Sequence, residues 1–139
     1  MENLKIRIEA FVHATIAEVW DKWTMPAHIV NWNFASPDWC CPSAINDVQI
    51  GGVYSARMEA KDRSFGFNFK CVYEAVAYQK RLALVMEDGR KFEVRFDVKD
   101  NGVLVLEEFD PENENPIDMQ RMGWQAILNN FKNYAEGIK

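Results

Sequence analysis

No run of apolar residues in this chain reaches the roughly 18 to 20 needed to cross a bilayer. The opening MENLKIRIEA alternates charged with apolar residues and builds no signal-peptide core, so the expected location is the cytoplasm. Basic charge is also scarce: 16 Lys and Arg stand against 21 Asp and Glu, a net charge of -5, and the basic residues are scattered singly. Nucleic acid is excluded as a partner by that scatter, because a phosphate backbone needs a basic stripe. Cysteine is limited to Cys40, Cys41 and Cys71, and histidine to His13 and His28. Three cysteines cannot all pair with one another, and they show neither CxxC spacing nor a neighbouring histidine cluster, so free thiols and no metal site are expected. A cofactor is likewise not called for. Low-complexity tracts, internal repeats and linkers are missing too, which makes residues 1–139 a single domain.

What the chain has is apolar and aromatic bulk, 48% and 13% of its 139 residues, enough for a core that can hold a cavity. Leu4, Ile6, Ile8 and Ala10 alternate with Lys5, Arg7 and Glu9, the period of a half-buried strand. Thr15 with Glu18 forms a capping box that opens a short helix with Val19, Trp20 and Trp23 on its apolar edge. Thr24 and Pro26 read as the N-cap and first turn of a second short helix ending near Trp32. NFASPDWCCPSAIND, residues 33–47, has no period and reads as a long loop that carries Phe34 and Trp39. Beyond Gly51-Gly52 lie VYSARMEA, FGFNFKCVYEAVA, RLALVME, KFEVRFDVK and VLVLEEF. Asp88-Gly89 and Asn101-Gly102 mark hairpins between them, so this stretch is an antiparallel meander.

The closing segment PIDMQRMGWQAILNNFKNYAEGIK reads as one long helix, with Asn115 as cap and Pro116 as first turn. At 100° per residue Ile117, Trp124, Ile127, Leu128, Phe131, Ala135 and Ile138 share one side. Gln120 is the polar residue within that side, and Gly123 sits at its margin. Gly123 admits two readings: a kink or close helix-to-sheet contact, or room left for a ligand. The class is therefore α+β, a curved antiparallel sheet of about six strands wrapped around a long C-terminal helix, with two short helices after the first strand. A lone helix cannot fill such a concavity everywhere, so a pocket is expected between helix and sheet.

Alternation that points Val103, Val105 and Phe109 into the core points Glu107 there as well. The opposite register would bury Leu104 and Leu106 and bring Glu108 inside. Glu107 inward is the favoured register, either ion-paired with an arginine such as Arg57 or Arg121 or left facing the pocket. Trp39, Met58, Phe67, Phe69, Phe96, Glu107, Gln120, Gly123 and Trp124 make up the expected ligand-binding set. Met58 and the phenylalanines come from strand phase, and Trp39 from the loop expected at the mouth. Should the protein be a catalyst, Glu107 is the acid or base and Gln120 orients the substrate.

Four segments, ATIAEVWDKWTMPAHIVNW, INDVQIGGVYSARMEAKDRSFGF, DGRKFEVRF and EEFDPENENPIDMQRMGWQAILNNFKNYAE, resemble bacterial SRPBCC proteins of the heat-shock-protein-90 ATPase activator family. The likeness runs almost end to end. It implies the START-like helix-grip fold with a hydrophobic cavity, and relatives that range from lipid carriers to polyketide cyclases to chaperone activators, so the fold selects no single function. Three expectations stand: binding of a small apolar or amphipathic molecule, a cyclase- or hydrolase-type enzyme built on Glu107, and a chaperone ATPase regulator. Similar proteins tend to carry Asp-Trp-His where this chain has Asp38-Trp39-Cys40. Cys40 is expected to be an ordinary thiol, since no histidine stands near it in sequence to activate it as a nucleophile.

Overall fold

The computed structural model describes residues 5–137. Strand alternation is realised first at β1 (Ile6–Val12), which buries Ile6, Ile8, Ala10 and Val12 and turns Arg7 and Glu9 outward. Leu4, the other residue of that expected pattern, lies outside the described residues. Thr15 then caps α1 (Ile16–Thr24) through the full reciprocal box with Glu18, and the helix buries Val19, Trp20 and Trp23. The second short helix, α2 (Pro26–Ile29), begins differently from expectation. Its cap residue is Met25, which lends no side-chain bond, while the Thr24 hydroxyl donates back to the Trp20 carbonyl at 2.7 Å.

Seven strands make the sheet, one more than the alternation pattern shows. The extra strand is β2 (Trp39–Asn46), inside the stretch read as a loop. It is an edge strand, largely open to solvent, and a bulge between Cys40 and Ser43 shifts its register around Pro42. A bulge and a proline at an edge erase the two-residue period that betrays a strand. The others are β3 (Val53–Ala60), β4 (Gly66–Ala77), β5 (Arg81–Met86), β6 (Lys91–Lys99) and β7 (Gly102–Phe109), all antiparallel in the order β1-β7-β6-β5-β4-β3-β2. Pairing of the first strand with the last, Ile6 opposite Phe109 through Val12 opposite Val103, closes the curl on one side. A second bulge between Tyr73 and Ala75 bends the long β4.

Two glycines are demanded by geometry. Gly89 takes φ of 90° in the β5–β6 turn, which donates from its N–H to the Met86 carbonyl. Gly102 needs no unusual φ; a side chain there would put its Cβ 2.4 Å from the Val12 carbonyl oxygen and 2.8 Å from the Phe11 ring. The β6–β7 hairpin thus needs glycine because β1 crosses so close to it.

Helix α3 (Ile117–Ala135) lies across the concave face and buries Leu128, Phe131 and Ala135 there. Pro116 stands at the cap position and not in the first turn as expected, and Asn115 does not cap the helix: the Asn115 amide donates to the Glu112 carboxylate at 3.0 Å instead. Ile117 is 40% exposed, against its expected place on the inner side. Ile138 lies outside the described residues. One continuous apolar cluster joins the sheet, α1, α2 and α3.

Candidate functional site

The inner face of the sheet is set by alternation. Tyr54, Ala56 and Met58 on β3, Leu82 and Leu84 on β5, Phe92 and Val94 on β6, and Val105, Glu107 and Phe109 on β7 are all buried. Under the N-terminal half of α3 this face is not covered tightly, and a cavity of about 300 Å³ remains. Its walls are rings that touch in sequence: Tyr54 to Phe69 at 6.3 Å, Phe69 to Phe92 at 5.8 Å and Phe92 to Trp124 at 5.5 Å, with Trp124 backed by Phe109, stacked on it at 3.8 Å and 11°. Met58, Leu84 and Ile127 complete the apolar surface, with Trp23 and Trp32 closing its far end. Phe67 and Asn115 line the cavity and are also exposed, so with Arg90 and Glu112 they mark its mouth.

Glu107 faces this space. On β7 it pairs between Ile8 of β1 and Val94 of β6, two aliphatic neighbours, and it is 6% exposed. Neither arginine suggested for it is available: Arg57 bridges Glu59 and Arg121 bridges Asp118. Among the described residues no group hydrogen-bonds its carboxyl, yet no buried side-chain oxygen is left sealed without a partner. Its oxygens therefore open on the cavity. Burial alone pushes its pKa up to about 8, so the acid is largely neutral at pH 7. Across the cavity the Tyr54 phenol accepts a hydrogen bond from the Asn33 amide at 2.9 Å, and burial, with Glu107 among the contributing charges, holds that phenol well above its ordinary range.

Six of the nine expected site residues line this one cavity: Met58, Phe67, Phe69, Glu107, Gln120 and Trp124. Three do not. Phe96 has the correct strand phase but lies further along β6, packed on Trp20 at 5.5 Å and Trp23 at 5.9 Å. Trp39 sits behind the mouth, its ring 6.2 Å from that of Phe67. Gly123 is not among the residues lining the cavity, and a Cβ placed on it would meet nothing within 4 Å, so no close helix-to-sheet contact requires glycine there.

Gln120 touches the cavity but its amide is spent on the chain before α3. It accepts from the Glu112 N–H at 2.9 Å and donates to the Glu112 and Asn115 carbonyls at 3.1 and 2.8 Å. Gln120 is a strap for the β7–α3 connection, so it has no free donor with which to orient a substrate. Cys40 pairs opposite Glu59 on the outward phase of β3, away from the cavity. His28 is tied to the Tyr134 hydroxyl at 2.6 Å, joining α2 to α3, and the His13 N–H is held by Glu136.

Tyr54, Tyr73, Phe92, Asn33 and Arg90 line the cavity without having been expected there. Tyr54 and Phe92 share the strand phase of Met58 and Phe96, so alternation was sufficient to find them. Asn33 and Arg90 come from connections, where no period exists to reveal a facing. Among the described residues no group of three His, Cys, Asp or Glu is placed to hold a metal ion, and no helix is long and apolar enough to cross a membrane.

A curled antiparallel sheet gripping one long helix, with two short helices ahead of it, defines the helix-grip class of START-like proteins. Within that class the chain belongs to the family described as Activator of Hsp90 ATPase homolog 1-like protein, which matches residues 13–136. It is similar to an AHSA1-like protein from Aeromonas hydrophila, with 41% identity, TM-score 0.91, and coverage of 96% of this chain and 93% of that one. It is also similar to the protein Chr148 from Cytophaga hutchinsonii, with 44% identity, TM-score 0.83, and coverage of 96% and 92%. Protein NE0264 from Nitrosomonas europaea shares the fold, with TM-score 0.80 at 14% identity over 96% and 95% of the two chains. No protein of curated function matches the chain.

Proposed function

We propose that the protein binds a small apolar or amphipathic molecule in the cavity between α3 and the sheet. One observation carries this reading: a space of about 300 Å³ is walled by a continuous run of aromatic rings and holds a carboxyl that no group among the described residues engages. A well-packed interior leaves few voids of that size, and buried polar groups ordinarily find partners, so the space and the acid together suit an outside molecule. The test is native mass spectrometry of gently purified protein, followed by titration with neutral naphthylmethanol read by tryptophan fluorescence. A retained small molecule, or saturable quenching of Trp23, Trp32 and Trp124, is expected; absence of both rejects the reading.

A second reading draws on Glu107 alone. A carboxyl with pKa about 8 is suited to act as a general acid near neutral pH. Turnover of a co-purified ligand, abolished in Glu107→Gln, is the result that would favour it. Binding without turnover leaves Glu107 as a recognition group.

A further inference from the structure

Resting on the cavity reading above, we propose that its ligand is an organic amine: a flat apolar body between the rings of Tyr54, Phe69 and Trp124, with a basic nitrogen seated on the carboxyl of Glu107. The argument begins from what Glu107 lacks. It sits between Ile8 and Val94 with no cationic side chain against it among the described residues, and its oxygens open on the cavity. A buried carboxylate needs a cation or must stay protonated. The cavity it opens on is walled by aromatic rings, and a ring face attracts a cation and repels a second anion. An ammonium uses both features at once, a neutral alcohol uses only the hydrogen bond, and a carboxylate ligand meets an acid and negative ring faces. The mouth does not reverse this preference: the Arg90 guanidinium is held by Asp88 at 2.7 Å, and the protein carries a net charge of -5.

Proton accounting makes the proposal measurable. In the empty cavity Glu107 holds its proton; when the protonated amine enters, that proton leaves to solvent and an ion pair forms. Amine affinity therefore rises with pH toward the carboxyl's pKa of about 8. The phenols and thiols around the cavity are all raised above this window. From β3 comes Tyr54, raised by burial well above 10, and from β4 come Tyr73, raised by burial, and Cys71, pushed by burial to about 12. Burial also pushes Cys41 of β2 to about 11. At the mouth stand Arg90 and Glu112, and β1, β6 and α3 present Ile8, Val94, Gln120 and Trp124, four side chains that are not ionisable.

The experiment compares naphthylmethylamine, naphthylmethanol and naphthoic acid by calorimetry with the wild-type protein at about pH 6.5 and about pH 8.5, then repeats the set with Glu107→Gln. The amine is expected to bind tightest at the higher pH, with affinity increasing roughly 20-fold between the two, while the alcohol gains nothing. Glu107→Gln is expected to abolish the amine's advantage and its pH dependence while retaining the alcohol. Alcohol or acid binding as tightly as the amine at about pH 8.5 overturns the amine proposal and leaves the cavity reading intact. If none of the three binds, the cavity reading fails with it. The wild-type comparison decides the matter even if the variant does not fold.

Discussion

The two halves of α3 rest on the same sheet and are treated differently by it. Toward its C-terminus Leu128 and Phe131 are fully buried, and Phe131 meets Trp23 at 4.8 Å and Trp32 at 5.0 Å, rings that also pack on each other at 4.9 Å. Toward its N-terminus, from Ile117 to Gln125, only Gln120 is buried, and its amide bonds the preceding loop and not the sheet. One half is clamped by aromatic packing; the other stands over an open space and is held by a loop strap and by Trp124 on Phe109. Tight packing and open space are thus assigned to opposite ends of one helix. A cavity can be kept open without unfolding the domain because the clamp lies elsewhere.

The comparison is broken most forcefully at the clamp. Phe131→Ala should cost about 3–5 kcal/mol, read by urea denaturation, because a fully buried ring leaves a hole beside the two tryptophans packed on it. A loss under about 1 kcal/mol would show that the C-terminal half is not the anchor.

At the open end the largest expected change has the opposite sign. Glu107 in the folded protein titrates near 8, above the ordinary carboxyl value of 4.5, so between those pH values the folded state keeps a proton that the unfolded chain releases. Stability contributed by this group is thus fully present below about pH 4.5 and is lost as pH rises toward 8. Glu107→Gln cannot ionise, and its advantage over wild type should grow from near zero at about pH 4 to about 2–4 kcal/mol at about pH 8. Comparing thermal unfolding of the two proteins across that range cancels every other titrating group. A pH-independent difference would mean that the carboxyl is solvated.

These two residues also show what the sequence could and could not reveal. The inward facing of Glu107 was legible because Val103, Val105 and Phe109 fix the phase of β7 and the sheet has only two faces. Alternation identifies a face but not a position along it, which is why Phe96 shared the phase of the cavity residues yet belongs with Trp20 and Trp23. Strand β2 was illegible because it is an exposed edge with a bulge at its proline. The role of Gln120 was illegible for another reason: its partners are main-chain groups of Glu112 and Asn115, and no residue pattern encodes them.

Gln120→Ala sharpens the contrast at an intermediate scale. It removes three hydrogen bonds from a half-exposed connection where water can replace part of what is lost, so about 1–2 kcal/mol is expected. Faster amide exchange should appear at Glu112, whose N–H loses its acceptor. Exchange accelerated along the C-terminal half of α3 instead would show that strap and clamp are coupled.

The smallest effect belongs to Gly123, in the open half. Its φ is not in the left-handed region, and a Cβ there meets no atom within 4 Å, so neither backbone strain nor a clash opposes a side chain. Helix propensity then decides the outcome, and Gly123→Ala should stabilise by up to about 1 kcal/mol. Gly123→Leu should fold as well and bind naphthylmethanol as wild type does, because the position is off the cavity wall. Overpacking at a position that truly touched the sheet would cost about 1–3 kcal/mol, and a position that opened the cavity would lose probe binding. Thermal melts beside fluorescence titration of both variants separate the three cases. A stabilised Ala variant with unchanged binding would show that α3 tolerates a poor helix former here because nothing in the open half depends on that residue.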